Sequence, residues 1–243
     1  MTDIADPFIA AMLRRKDEPL DPELAPHVSE VSFGEFTMPA LRHPLVYLVP
    51  FLPGEAFRAN ELLKHKREQM KRARKERDNH TLVFLYERPY RAEALLAALD
   101  AGRFPRADAG EAAYWSLVAE VWIDSENIDQ VWHAWRHLWR PARLPTTNRL
   151  RLASGEKAYA ELMAMPEELT VYHGQGVGDT LDWSWTLDRD EAVWFARRFG
   201  VGVPEVLTGK VSRSNIYAYL TGRGEAEIVA PQGHVEVVSR SSA

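Results

Sequence analysis

Residues 224–238 read GEAEIVAPQGHVEVV. Two carboxylates two positions apart, Glu225 and Glu227, stand just ahead of an apolar run that breaks at Pro231-Gln232-Gly233 and resumes after His234. Successive side chains in a strand face opposite ways, so an i, i+2 pair places both carboxylates on one face. Like charges held together at a strand entrance cost stability, which marks the pair as a site rather than decoration. The stretch predicts strand, turn and strand, and with it a β-rich C-terminal segment.

Working outward, the same grammar holds from Leu169 onward, in the short runs LTVYHG, DWSWT, EVLTGKV, NIYAYL, AEIVA and HVEVV. A single helix interrupts them at 188–199. Asp188 with Glu191 has the form of a capping box, Ala192, Phe195, Ala196 and Phe199 line one face, and Gly200 supplies the stop.

Upstream the pattern is helical. Trp115, Val118, Ala119 and Trp122 form one i, i+3, i+4, i+7 stripe, and Ile128, Val131, Trp135 and Leu138 form another, with the capping signal Asp124-Ser125 between them. A short helix is expected over about 155–164, capped by Ser154 and stopped before Pro166. ERPYRAEALLAALDAG reads as a helix closed by Gly102, and TLVFLY at 81–86 reads as a strand. From about Asn60 to Asp78 strong helix formers predominate, and eight of the fifteen residues 64–78 are Lys or Arg. The first 55 residues are interrupted by seven prolines from Pro19 to Pro53, and LVYLV at 45–49 is their one convincing strand.

Composition bounds the function. The 243 residues are 46% hydrophobic with 8 Trp, ample for a core, and 30 basic against 35 acidic residues give a net charge of -5, with no global pull toward nucleic acid or an anionic membrane. Without cysteine there are no disulfides, thiolate metal ligands or thiol nucleophile. The start MTDIADPFIAAMLRRK carries acid before a short apolar stretch and base after it, the reverse of a secretory signal, and no run approaches about 18 apolar residues. A soluble cytoplasmic protein is the expectation.

Three pieces then fall in a telling order: VYHG at 171–174, SWT at 184–186 followed by the A-x-x-F-A helix, and the Glu225-Ala226-Glu227 strand with its Pro-x-Gly turn. Together they resemble the NAD-dependent ADP-ribosyltransferases over about residues 169–239. The chain combines the His-Gly of the poly-ADP-ribose polymerase and diphtheria-toxin type with the serine and paired glutamates of the arginine-modifying type, His173 standing where the latter has Arg. The resemblance implies that His173 and Gly174 hold the adenosine side of NAD, with Thr186, Trp185 and Tyr219 as further cofactor contacts and an aromatic among Trp183, Trp185 and Tyr219 stacking on nicotinamide. It also implies that Glu227 stabilises the oxocarbenium-like transition state as the nicotinamide–ribose bond breaks, that Ser184 holds this carboxylate, and that Glu225 orients or deprotonates the acceptor. For each aromatic an ordinary core role is the competing reading, and for the glutamates a solvated strand edge.

Other motifs fail. The cluster Gly174-Gln175-Gly176-Val177-Gly178 lacks the G-x-G-x-x-G spacing and leads to a strand, not the helix a dinucleotide fold requires. His133 and His137 are spaced i, i+4 without the Glu of a zinc protease, and no metal site is expected. The basic stretch 64–78 has no aromatic interleaving; it reads as a solvated face, with nucleic acid or an acidic protein as the sharper alternative.

The expected architecture is α+β: a mainly helical region over 1–165, proline-rich at its start, packed on a small split β-sheet of ADP-ribosyltransferase type over 166–243. Only ten residues separate His173 from Ser184, fewer than the resemblance leads one to expect, so the helices are expected to complete the fold as one continuous unit. The implied activity is transfer of ADP-ribose from NAD to a macromolecular acceptor, protein arginine first, by a bacterial or phage effector. A nucleic-acid ADP-ribosyltransferase using the basic helix, and a catalytically inactive NAD-fold module that blocks a partner, are the alternatives. Oligomeric state is not legible.

Overall fold

The computed structural model describes residues 18–33, 35–52, 54–105, 108–125, 128–142, 144–177, 183–198 and 202–243. The expected helix stop at Phe199 and Gly200 and the end of the glycine cluster at Gly178 lie outside them. The chain forms two compact units, one up to Ala94 and one from Leu95.

In the first unit, strands β1 (Val28–Phe33), β2 (Phe36–His43) and β3 (Val46–Leu48) form an antiparallel meander. Sequence reading found only the region of β3, because prolines mask β2. Pro39 sits inside β2, and its carbonyl accepts the Phe51 N–H at 2.8 Å, on the side away from β1. The N–H that proline lacks would point to that same side, so the β1–β2 ladder loses nothing. Helix α1 (Ala56–Glu76) buries Ala59, Leu63, Met70 and Ala73 in a core with Leu24, Leu41 and Val46. Lys66 pairs with Glu87 at 2.6 Å, Lys71 with Glu68 at 2.7 Å, and Arg67 with Glu23.

TLVFLY is not a strand. Arg77 turns left-handed at φ 57° to close α1, and the Asp78 carboxylate then accepts the Thr81 N–H at 2.9 Å, starting helix α2 (Asn79–Phe84). A side-chain cap outweighs the β propensity of Thr, Val and Phe when Leu82 and Val83 are both buried by a helical turn. Helix α3 (Arg91–Asp100) carries the division between the units and closes at Gly102, φ 69°, as expected.

The second unit holds helices α4 (Asp108–Asp124), α5 (Trp132–Trp139), α6 (Arg149–Ser154), α7 (Glu156–Met163) and α8 (Arg189–Arg198). Its sheet comprises β4 (Glu168–Gly176), β5 (Ser184–Thr186), β6 (Pro204–Ser212), β7 (Ala218–Leu220), β8 (Glu227–Val229) and β9 (Val235–Ser242), in the order β7-β8-β5-β4-β6-β9, antiparallel throughout. The change from helices to strands near residue 165 is thus a change of secondary structure within one compact unit.

The expected α4 stripe is buried, and Trp122 meets Trp135 at 4.9 Å and Trp139 at 5.6 Å, both edge to face. Ser154 does not cap α7. Gly155, at φ 77°, breaks α6 from α7 in a conformation that favours glycine, and the Ser154 hydroxyl instead accepts the Tyr219 N–H of β7 at 2.8 Å. One face of the sheet presents Val171, Trp185, Leu207, Tyr219 and Ile228 to Ala158 and Leu162 of α7. Against the other face lies α8. A Cβ on Gly174 would sit 1.8 Å from the Ala192 carbonyl oxygen, so only glycine admits the helix this close. Among the described residues no helix is long and apolar enough to cross a membrane.

Candidate active site

The three motif strands are neighbours in the sheet, in the order β8-β5-β4. Glu227 opens β8 opposite Thr186, and Ser184 pairs with Val229, so Ser184, Thr186 and Glu227 share the face opposite the buried Trp185 and Ile228. Diagonal neighbours on one face are within reach of side chains. The Ser184 hydroxyl donates to Glu227 Oε1 at 2.6 Å.

A second donor reaches the same oxygen. The indole Nε1–H of Trp122, from the last turns of α4, donates to Glu227 Oε1 at 2.8 Å. An indole N–H can only donate, so the pairing is one-directional, and Trp122, 1% exposed and wedged between Trp135 and Trp139, cannot turn away from it. Burial of the Trp122 ring therefore fixes the carboxylate as well as the helix.

Ser184 also works through its backbone. Its carbonyl lies 2.7 Å from His173 Nδ1. A carbonyl accepts, so Nδ1 carries the proton, which orients the imidazole. The ring lies 5.6 Å from that of Trp185. One serine thus links His173 on β4 with Glu227 on β8.

The other expected residues are placed differently. Glu225 is not in the strand: it follows the one-turn 3-10 helix Gly222–Gly224, where Gly224 takes φ 76°, and β8 begins two residues later. Its partner in charge is Glu191 of α8, whose carboxyl is pushed up by burial, with Glu225 and Asp188 adding to the shift and a Thr186 hydrogen bond at 3.1 Å opposing it. Glu191 was read as half of a capping box. Asp188 does cap α8, accepting the Asp190 N–H at 2.8 Å, but its own N–H donates to Thr186 Oγ1 at 3.0 Å, which frees Glu191 to turn toward the sheet. Thr186, 8% exposed, is committed to these two bonds.

Trp185 and Tyr219 are 1% and 5% exposed and belong to the core on the opposite face, so neither offers a ring to a nicotinamide. Trp185 alternates with Ser184 and Thr186 and so faces away from them, on the side where its ring meets that of His173. Gly174 is explained by the approach of α8. Trp183, 6% exposed, packs edge-on against Trp132 at 4.9 Å. Trp122 and Glu191 were missed as site residues because the helical stripe and the cap each gave them a sufficient local role. Among the described residues no three His, Asp or Glu side chains gather as a metal site.

A carboxylate oxygen held by two donors is suited to stabilising a positive charge that develops beside it. No protein family, curated protein or solved structure matches the chain.

Proposed function

We propose that the chain is an NAD-dependent ADP-ribosyltransferase. The observation that carries the reading is the Glu227 carboxylate, held by Ser184 and Trp122 on the strand next to the one whose serine carbonyl orients His173.

In the proposed reaction the bond between nicotinamide nitrogen and the ribose anomeric carbon breaks, and nicotinamide leaves with the electron pair. Glu227 stabilises the positive charge on the sugar, and because its oxygen is already fixed, no reorganisation is required as the charge appears. His173 takes the adenosine side. An acceptor nitrogen then forms the new bond to the anomeric carbon and gives up its proton to a carboxylate, Glu225 or Glu191.

Protein arginine is the proposed acceptor. Glu225 and Asp188 both act as like charges on Glu191 near the start of α8, which suits a guanidinium. A second reading, transfer to nucleic acid, is favoured by Arg72, Arg74 and Lys75 on α1, all exposed and in no ion pair among the described residues. Incubation with labelled NAD and a cell extract separates the two: label on protein, removed by converting arginine side chains, supports the first, and label on RNA or DNA alone overturns it.

A further inference from the structure

Around Tyr217 the second unit collects positive charge without negative. Arg140, which follows α5, donates its Nε–H to the Tyr217 hydroxyl at 2.6 Å, and its guanidinium lies 5.2 Å from the Trp183 ring centre. Arg149, at the start of α6, lies over Tyr217 with its guanidinium carbon 3.2 Å from the ring centre, and its Nη1 donates to the Trp139 carbonyl at 2.9 Å. His234 meets the same tyrosine edge-on at 6.1 Å. Among the described residues no carboxylate pairs with either arginine.

Two buried nitrogens in this group are unmet: Arg149 Nε–H and His234 Nδ1 have no hydrogen-bond partner. Burial, with Arg140 adding a like charge, depresses the Arg149 guanidinium, a cost that a bound anion would relieve. Stacking on aromatic faces offsets part of this, but a cation over a ring leaves the in-plane N–H groups of the fork unused. The Arg140 Nε–H is spent on the Tyr217 hydroxyl and the Arg149 Nη1 on the Trp139 carbonyl, so the other N–H groups of two forks beside one tyrosine remain for an oxyanion.

We propose that Arg140, Arg149, Tyr217 and His234 form a binding site for a phosphate or diphosphate group, bordered by Trp183. The site stands independently of the Glu227 chemistry. Its ligand is carried either by the NAD of the proposed reaction or by a separate phosphorylated molecule.

The test uses the full chain, with inorganic phosphate and pyrophosphate as probes, read by tryptophan fluorescence and by melting temperature against potassium chloride at matched ionic strength. A saturable pyrophosphate response above the chloride control is expected, weakened at least about tenfold in Arg140→Gln, an exposed position whose loss leaves the core intact, and unchanged in Glu227→Gln. Arg140→Lys should not restore it, since one ammonium cannot replace the fork. NAD competing with pyrophosphate would name the dinucleotide as the source; intact pyrophosphate binding without competition would name a separate ligand. A wild-type response no larger than that to chloride, or equal binding by Arg140→Gln, overturns the site.

Discussion

Trp122 Nε1–H donates to Glu227 Oε1 at 2.8 Å across 105 residues of sequence, joining helix α4 to the strand that carries the candidate catalytic carboxylate. The indole is fully packed, so the hydrogen bond is held by the helical core rather than by the sheet. The helices thereby enter the site and do not merely support it.

Trp122→Phe keeps an aromatic ring in the cluster and removes only the donor. Loss of a hydrogen bond to a charged group is worth roughly 1.5–3 kcal/mol, so turnover should fall about tenfold or more with the KM for NAD little changed. Steady-state kinetics check this, and an unchanged turnover in a folded variant contradicts a positioning role for Trp122.

Ser184→Ala removes the second donor from the same oxygen. Once either donor is lost the carboxylate is free to turn, so the second loss should cost less than the first, and the double variant with Trp122→Phe should be less impaired than the sum of the two. Additive losses in turnover would mean that the donors act separately.

Gly174→Ala tests what the His-Gly pair is for. With the Ala192 carbonyl 1.8 Å from the added Cβ, α8 must lift from β4, and stability should drop by about 1–3 kcal/mol or more in urea unfolding. A variant as stable as the parent would show that the glycine serves something other than the close approach of α8.

The C-terminal strands and α8 were legible because alternation, the Asp188 cap and the Gly-Pro turns act locally. Local signals misled at TLVFLY, where Asp78 starts a helix, and at Pro39, where the missing N–H falls on an unpaired side. Of the motif residues, Ser184 meets Glu227 through its hydroxyl and His173 through its carbonyl. Trp122 could not be found that way: its stripe spacing already satisfied a core role, and its partner lies in another element. Trp185 and Tyr219 both pair with the buried Ile228, a register that the local sequence does not carry, and so they face the core.

The Glu191 carboxyl, raised by burial and by Glu225, gives a pH signature. A carboxyl raised in the folded state contributes stability below its ordinary value of 4.5 and loses that contribution as pH rises through the raised value. Glu191→Gln should therefore be more stable than the parent at neutral pH, with the gap closing as the pH falls toward 4.5. Melting curves from pH 4 to about 8 read it directly, and a gap that widens on acidification contradicts the assignment.

The most direct measurement is nicotinamide release from NAD by the purified chain, wild type beside Glu227→Gln, whose amide oxygen can still accept from Ser184 and Trp122 while the charge is gone. Release by the wild type that falls at least about 100-fold in a folded Glu227→Gln variant is the predicted result. Equal release by both, or no release and no NAD binding by the wild type in the presence of cell extract, would contradict the assignment of Glu227 as the charge-stabilising carboxylate.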